Sequence, residues 1–280
     1  MAVLQNKIDF TALISVTNAN GNGDPLNGNR PRTDYDGYGE ISDVCIKRKI
    51  RNRMQDLENA IFVQSDDRSS DGLGSLSERA SSVLKSIKDR NEYAEIACKT
   101  WLDVRAFGQV FAFKDQSGLS VGVRGPVSIH QAVSISPVDI ESMQITKSVN
   151  AENTNKGRAS DTMGTKHFVR FGLYRVKGSI NVQLAEKTGF TEEDAETVKE
   201  CLRTLFVNDA SSARPDGSME VIRLYWWKHN CKEGQYSSAK VHRSLHVAQK
   251  ETVSTPHSVD DYVITLDELP GLNVEVIDGV

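Results

Sequence analysis

Cysteine is scarce in this chain. The four that occur, Cys45, Cys98, Cys201 and Cys231, stand far apart and form no CxxC pair. Cys45 and Cys201 fall within helical patterns, so buried free thiols in a reducing compartment are expected rather than disulfides or zinc ligands. Long apolar runs are also missing. No stretch reaches the ~18 apolar residues of a bilayer span, and the N-terminus has no signal-peptide pattern. The expectation is a soluble cytoplasmic protein with no membrane partner. Internal repeats and low-complexity tracts are absent too. Among enzyme signatures there is no GK[ST] after a glycine loop, no GxGxxG spacing, no HExxH and no GxSxG. No cofactor is expected. Lys and Arg, finally, are missing from residues 251–280, which hold seven acids.

That last absence changes how the net charge reads. The formal total of −4 argues against nucleic acid, yet without the acidic tail residues 1–250 carry +3. The tail itself is expected to be a solvated terminus or lid, the alternative being a competitor for an electropositive groove or a subunit contact. Hydrophobic content of 38% and charged content of 26% fit an ordinary globular protein. A chain of 280 residues is expected to form one domain with insertions.

What the chain does have is concentrated at residues 17–53, TNANGNGDPLNGNRPRTDYDGYGEISDVCIKRKIRNR. A β-branched run, Ile8 to Val16, feeds a long loop of Asn, Gly and Pro, and the loop feeds a basic helix. A loop of this length within a compact domain is usually functional. Arg30 and Arg32 flank Pro31, which stiffens their presentation. Ser42 is the expected N-cap of the helix, and Ile46, Ile50, Met54, Leu57 and Ile61 form its core stripe. Lys47, Arg48, Lys49, Arg51 and Arg53 lie off that stripe, so they are expected to face solvent or a ligand. Fixed cations beside such a loop suit a ribose-phosphate backbone.

Downstream, residues 76–99 read as helix, and Trp101–Phe113 and Ser120–Ile135 as strands interrupted by Gly and Pro. Phe168–Leu184 and Glu220–Trp227 also read as strands, with a helix at 191–207 capped by Thr191. With the insertions set aside the order is βαββαβ, an α+β, ferredoxin-like or RNA-recognition-motif-like arrangement. The insertions fall at about 63–118 and 138–167. Residues 147–177 carry +5, and Met163 puts an apolar side chain into polar company. Such a residue can wedge between bases, or it can simply cap the core beneath it. Asp24, Asp34 and Asp36 could bind a divalent ion with RNA, although turn formation also accounts for them. His242 and His246 are four apart in what reads as strand or loop.

Five segments, NANGNGDPLNGNRPR, ISDVCIKRKIRNRM, WLDVRAFGQVFAF, VGVRGPVSI and SDTMGTKHFVRFGLY, occur here in order. Together they resemble the crRNA-binding backbone subunit of type I CRISPR Cascade (the Cas-seven family), closest to its type I-C form. The resemblance covers roughly residues 5–250 and implies an RNA-recognition-motif-like palm with a finger region at 63–118 and a thumb hairpin at 138–167. It implies copies stacked head-to-tail as a filament along one crRNA, other Cascade subunits capping the ends, and a recruited helicase-nuclease. The guide then pairs with target DNA in segments. It implies no catalysis; the alternative, from related type III backbone subunits, is a metal-dependent ribonuclease using Asp34 or Asp36. It further implies RNA contacts by Asn18, Asn20, Asn22, Arg30 and Arg32 of the loop and by Lys47 and Arg51 of the helix. Arg105, Arg124 and the thumb residues Met163 and Lys166 complete that set. The aromatic pairs of ordinary RNA-recognition motifs are missing from IDFTALISV, which favours backbone holding over base stacking.

Overall fold

A computed structural model describes residues 2–113, 120–146 and 163–280. The chain opens with β1 (Ile8–Ala19), a short hairpin of β2 (Gly23–Asp24) and β3 (Arg30–Pro31), then β4 (Tyr38–Ile41) and α1 (Asp43–Asp56). Helices α2 (Leu76–Leu84), α3 (Arg90–Thr100) and α4 (Leu102–Phe107) follow, with β5 (Gly108–Phe111) and β6 (Val121–Arg124). Strands β7 (Val127–Ile129), β8 (Ala132–Pro137) and β9 (Ile140–Thr146) lead to the long β10 (Met163–Ile180). After α5 (Val182–Thr188) and α6 (Glu192–Arg203) come β11 (Met219–Lys228) and α7 (Ser238–Ser244). Strands β12 (Leu245–Gln249), β13 (Tyr262–Leu266) and β14 (Val274–Asp278) end the chain.

The main sheet runs β14-β11-β1-β10-β8-β4, with β7 and β9 also paired to β10. Its ladders are antiparallel, so the protein is α+β around one large antiparallel sheet. Alternation along β1 sends Phe10, Ala12, Ile14 and Val16 to one face. There they pack with Ile46, Ile50 and Met54 of α1 and with Ala195, Val198 and Leu202 of α6. Leu13 points the other way, into a second cluster with Leu173, Tyr225, Trp227, Val241 and Tyr262 beneath α7, β12 and β13. Because both faces are covered, β1 is buried almost end to end. The finger region has a core of its own, where Phe62 meets Trp101 and Phe111 at ring-centroid distances of 4.8 and 5.0 Å.

Local signals set most helix starts. Cys45 N–H donates to Ser42 Oγ at 3.2 Å, and Thr191 and Asp194 form a reciprocal capping box. The basic helix stops at Asp56, earlier than its stripe suggests, because Glu58 takes a left-handed φ of 62° and turns the chain. Three expectations need correction. Trp101–Phe113 is not a strand to its start: residues 102–107 are helical, and the strand begins only at Gly108 (φ 81°). Leu102, Asp103, Val104 and Ala106 are all buried, so apolar residues fall on every side and no clean period marks the helix. The Phe168–Leu184 strand ends at Ile180, where Asn181 caps the unanticipated α5.

The third correction concerns the acidic tail, which is no solvated lid. Strand β13 pairs β12, and β14 extends the main sheet beside β11. Its acids find partners on the way: Glu275 meets Lys199 at 2.9 Å and Asp278 meets Arg223 at 3.2 Å. No helix among the described residues is long and apolar enough to cross a membrane.

Candidate nucleic-acid interface

The first loop is an ordered scaffold with few free groups. Asn18, exposed at the end of β1, adopts a left-handed φ of 52° that bends the strand into the loop. Asn20 is buried; its side-chain NH2 donates to Asn29 O at 2.6 Å and its backbone N–H to Ala213 O at 2.9 Å. Asn22 Oδ1 accepts from Ser42 N–H at 2.9 Å, holding the loop to the start of α1. Gly23 has no room for a Cβ, which would lie 1.9 Å from Asn29 Oδ1. Arg32 faces Asp24 at 3.4 Å, while its buried Nε has no hydrogen-bond partner.

Arg30 leaves the loop altogether. Its guanidinium donates to Ser142 Oγ at 3.0 Å, and that hydroxyl lies 2.8 Å from His167 Nδ1. Loop and thumb hairpin β9–β10 are joined at this point. Lys166 sits opposite Met143 on the other face of the same ribbon. Met163 begins β10 with 60% of its surface exposed, its sulfur accepting from Gln144 Nε2 at 2.7 Å. The remainder of the expected thumb, residues 147–162, lies outside the described residues.

The basic helix departs most from expectation. Its cations do not form a free face; they are wired into the fold. Lys47 pairs with Asp43 one turn back at 2.9 Å, lowering the Asp43 pKa. Arg48 donates to Val63 O at 2.8 Å, and burial lowers its pKa. Lys49 is only 4% exposed and pairs with Asp209; burial pushes its pKa down. Arg51 donates to Asp103 Oδ2 at 2.9 Å and lies over the Phe107 ring at 5.1 Å. The reason is packing. With α6 on one side and the finger on the other, off-stripe positions meet protein, and long side chains bury their stems while reaching an acid. Lys47, 26% exposed, is more open than Lys49 at 4% and Arg51 at 13%.

Arg105 is similarly committed. Its guanidinium takes both oxygens of Asp194 at 2.7 Å and donates to Cys98 O at 2.6 Å, tying α4 to the start of α6. That carboxylate raises the Arg105 pKa. Arg124 is different. It is exposed on β6, with no ion pair or hydrogen bond to another side chain among the described residues.

The loop acids are turn formers. Asp34 Oδ1 accepts from the N–H groups of Asp36 and Tyr38 at 3.0 and 2.8 Å, and Asp24 caps the turn at Leu26. His242 lies buried on α7, a helix where strand or loop was expected, while His246 begins the next strand and faces Asp267 at 2.8 Å. No group of three His, Cys, Asp or Glu suited to a metal occurs among the described residues.

One neighbour of the loop escaped the sequence reading. Arg214 shares Asp209 with Lys49, next to the Ala213 carbonyl that holds Asn20. Its Arg-Pro pair repeats the signature of Arg30-Pro31 and could have marked it.

The sequence profile of the CRISPR-associated protein Cas7 family matches residues 6–267. A CRISPR-associated protein Cas7 of Haloferax volcanii is 25% identical over 288 aligned positions, covering 94% of this chain and 82% of the relative. Among solved structures, a chain of a CRISPR RNA-guided surveillance complex in a pre-nicking state aligns at TM-score 0.50 with 15% identity. The alignment covers 79% of this chain and 78% of that one. A chain of another CRISPR RNA-guided surveillance complex aligns at TM-score 0.48 with 18% identity, covering 79% and 68%. With its profile matched from residue 6 to residue 267, this chain belongs to the CRISPR-associated protein Cas7 family.

Proposed function

We propose that this protein is the crRNA-holding backbone subunit of a type I surveillance complex, closest to the type I-C form and working in the cytoplasm. Copies stack head-to-tail along one guide, grip its sugar-phosphate chain and leave base edges free for target DNA. Family membership over residues 6–267 carries the reading. The loop–hairpin junction at Arg30, Ser142 and His167 fits it, because it presents loop and thumb to one strand together.

The palm is ferredoxin-like in this reading. The supporting order is β11-β1-β10-β8, with α1 after β1 and α6 after β10 sharing one face. The opposite face, where ordinary RNA-recognition motifs stack bases, is covered by α7, β12 and β13. A holder of variable spacers needs that: affinity comes from phosphate and ribose, and sequence choice is left to pairing. Head-to-tail contact that does not close gives an open helix. Other Cascade subunits cap its ends, and a helicase-nuclease is recruited to it.

Contacts to the guide come from Asn18, Arg30, Arg32, Lys47, Arg124 and Lys166, with Met163 displacing bases. Asn20 and Asn22 hold the loop in shape, and Arg51 and Arg105 brace the helix and finger behind it. The subunit is non-catalytic, with Asp34 spent on its own turn. Binding of guides with unrelated spacers across a salt series tests the reading. Arg30→Ala should weaken all of them alike and lower the salt slope by about one unit. A loss that depends strongly on spacer sequence overturns it.

A further inference from the structure

The second face of the sheet holds a group of basic side chains that guide holding does not use. Arg175 and Lys177 of β10 continue the alternation of Phe171 and Leu173, so they point to the face beneath α7. Lys177 lies opposite Thr11 of β1, and the His130 N–H donates to the Lys177 carbonyl at 2.9 Å. From α7, His242 Nε2 lies 3.1 Å from Gly178 O, and its ring centroid is 6.2 Å from that of His130.

Arg175 and Lys177 are partly buried and His242 is buried, while His130 is exposed. Arg175 donates to Leu245 O at 3.3 Å, and among the described residues neither it, Lys177 nor His130 pairs with a carboxylate. Burial lowers the pKa of Arg175, Lys177 and His242 alike; at His242 the Asp9 carboxylate and the Gly178 carbonyl oppose that shift, while Lys177 and His130 add to it. Of the acids facing this region, Asp9 takes Lys7 at 3.0 Å and His229 at 2.9 Å through Oδ2, its buried Oδ1 having no hydrogen-bond partner, and Glu40 accepts from Gln131 at 3.1 Å. The Thr11 hydroxyl is buried without a hydrogen-bond partner.

Among the described residues Arg175 and Lys177 have no carboxylate in an ion pair with them and stay partly open, so they can meet an anion that arrives from outside. A guanidinium fork, an ammonium point charge and an imidazole donor suit the oxygens of a phosphate. We propose that His130, Arg175 and Lys177, with buried His242 and Thr11 behind them, bind a backbone phosphate of a nucleic-acid strand at a site separate from the first loop. Exposed Arg243 on α7 carries the charge onward, as a strand with repeating phosphates requires. Thr11 precedes Ala19 by eight residues of one strand, roughly 26 Å, so the two sites are independent.

Thermal unfolding of the full chain in inorganic phosphate, against chloride at matched ionic strength, reads the site directly. A saturable rise in Tm is expected for the parent and for Arg30→Ala, and it should vanish in Lys177→Gln and in His130→Ala, whose side chain is exposed. In parallel, the salt slope for a single-stranded oligonucleotide should fall by about one unit in Lys177→Gln. A phosphate response unchanged in both variants overturns the site. A lost response with an unchanged oligonucleotide slope assigns it to free phosphate and overturns the nucleic-acid proposal. Failure of guide holding would instead show in Arg30→Ala, with the phosphate response intact.

Discussion

Replacing Arg51 by Ala separates a phosphate contact from a structural ion pair. Asp103 is 1% exposed and Arg51 13%, and the Asp103 carboxylate also accepts the Phe62 and Val63 N–H groups at 2.7 and 3.0 Å. Removing one partner of a buried pair typically costs about 3–5 kcal/mol. The two backbone donors keep Asp103 partly compensated, which places the loss near ~3 kcal/mol at the low end of that range. For a chain this size such a loss corresponds to a fall in Tm of about 6–12 °C. Lys47→Ala, removing a partly open i,i+4 pair, should cost no more than about 0.5 kcal/mol. Guide binding should show the reverse ranking, with the salt slope falling by about one unit in Lys47→Ala. Differential scanning calorimetry and fluorescence anisotropy on the two variants decide it. An unchanged Tm in Arg51→Ala with a reduced salt slope would refute the structural assignment.

Three further expectations concern other parts of the fold. Arg79 holds the Asp71 carboxyl at a pKa of about 2. Because that value is depressed, the pair stabilises the fold above the ordinary carboxylate pKa and its contribution is lost as pH falls from about 4 to about 2; Asp71→Asn should therefore be less stable than the parent near neutrality and equal to it at the acid end of a denaturation series. Burial pushes the Cys98 thiol up to about 11 and Cys201 to about 12, so both should resist alkylation in the native protein and react once denaturant is added, as peptide mass mapping would show. Met163→Gly should leave guide affinity nearly unchanged while altering 2-aminopurine fluorescence at displaced guide positions; an unchanged signal would remove the wedge role.

Elements whose signals are local were legible in the sequence. The Ser42 and Thr191 caps, the Ile46–Ile50–Met54 stripe and the strand at 219–228 depend on neighbours within a few residues. What could not be read was long-range. The partners of Lys49 and Arg105 lie 160 and 89 residues away, so a row of cations looked like an open face when it was a set of internal braces. The tail's strands needed β11 and β12 as templates, and the run of acids without Lys or Arg around them disguised them as a solvated end. For α4, burial on all sides removed the period that distinguishes helix from strand. Asn20 and Asn22, expected to face RNA, brace the loop itself through the Asn29 carbonyl and the Ser42 N–H.

Electron microscopy of the protein purified with and without a co-expressed CRISPR array tests guide-directed assembly most directly. Helical ribonucleoprotein particles whose length follows the guide, and which disappear when Arg30 and Lys166 are both replaced by Ala, are the expected result. Particles of the same form without RNA, or isolated protomers on the guide with no regular stacking, would contradict it.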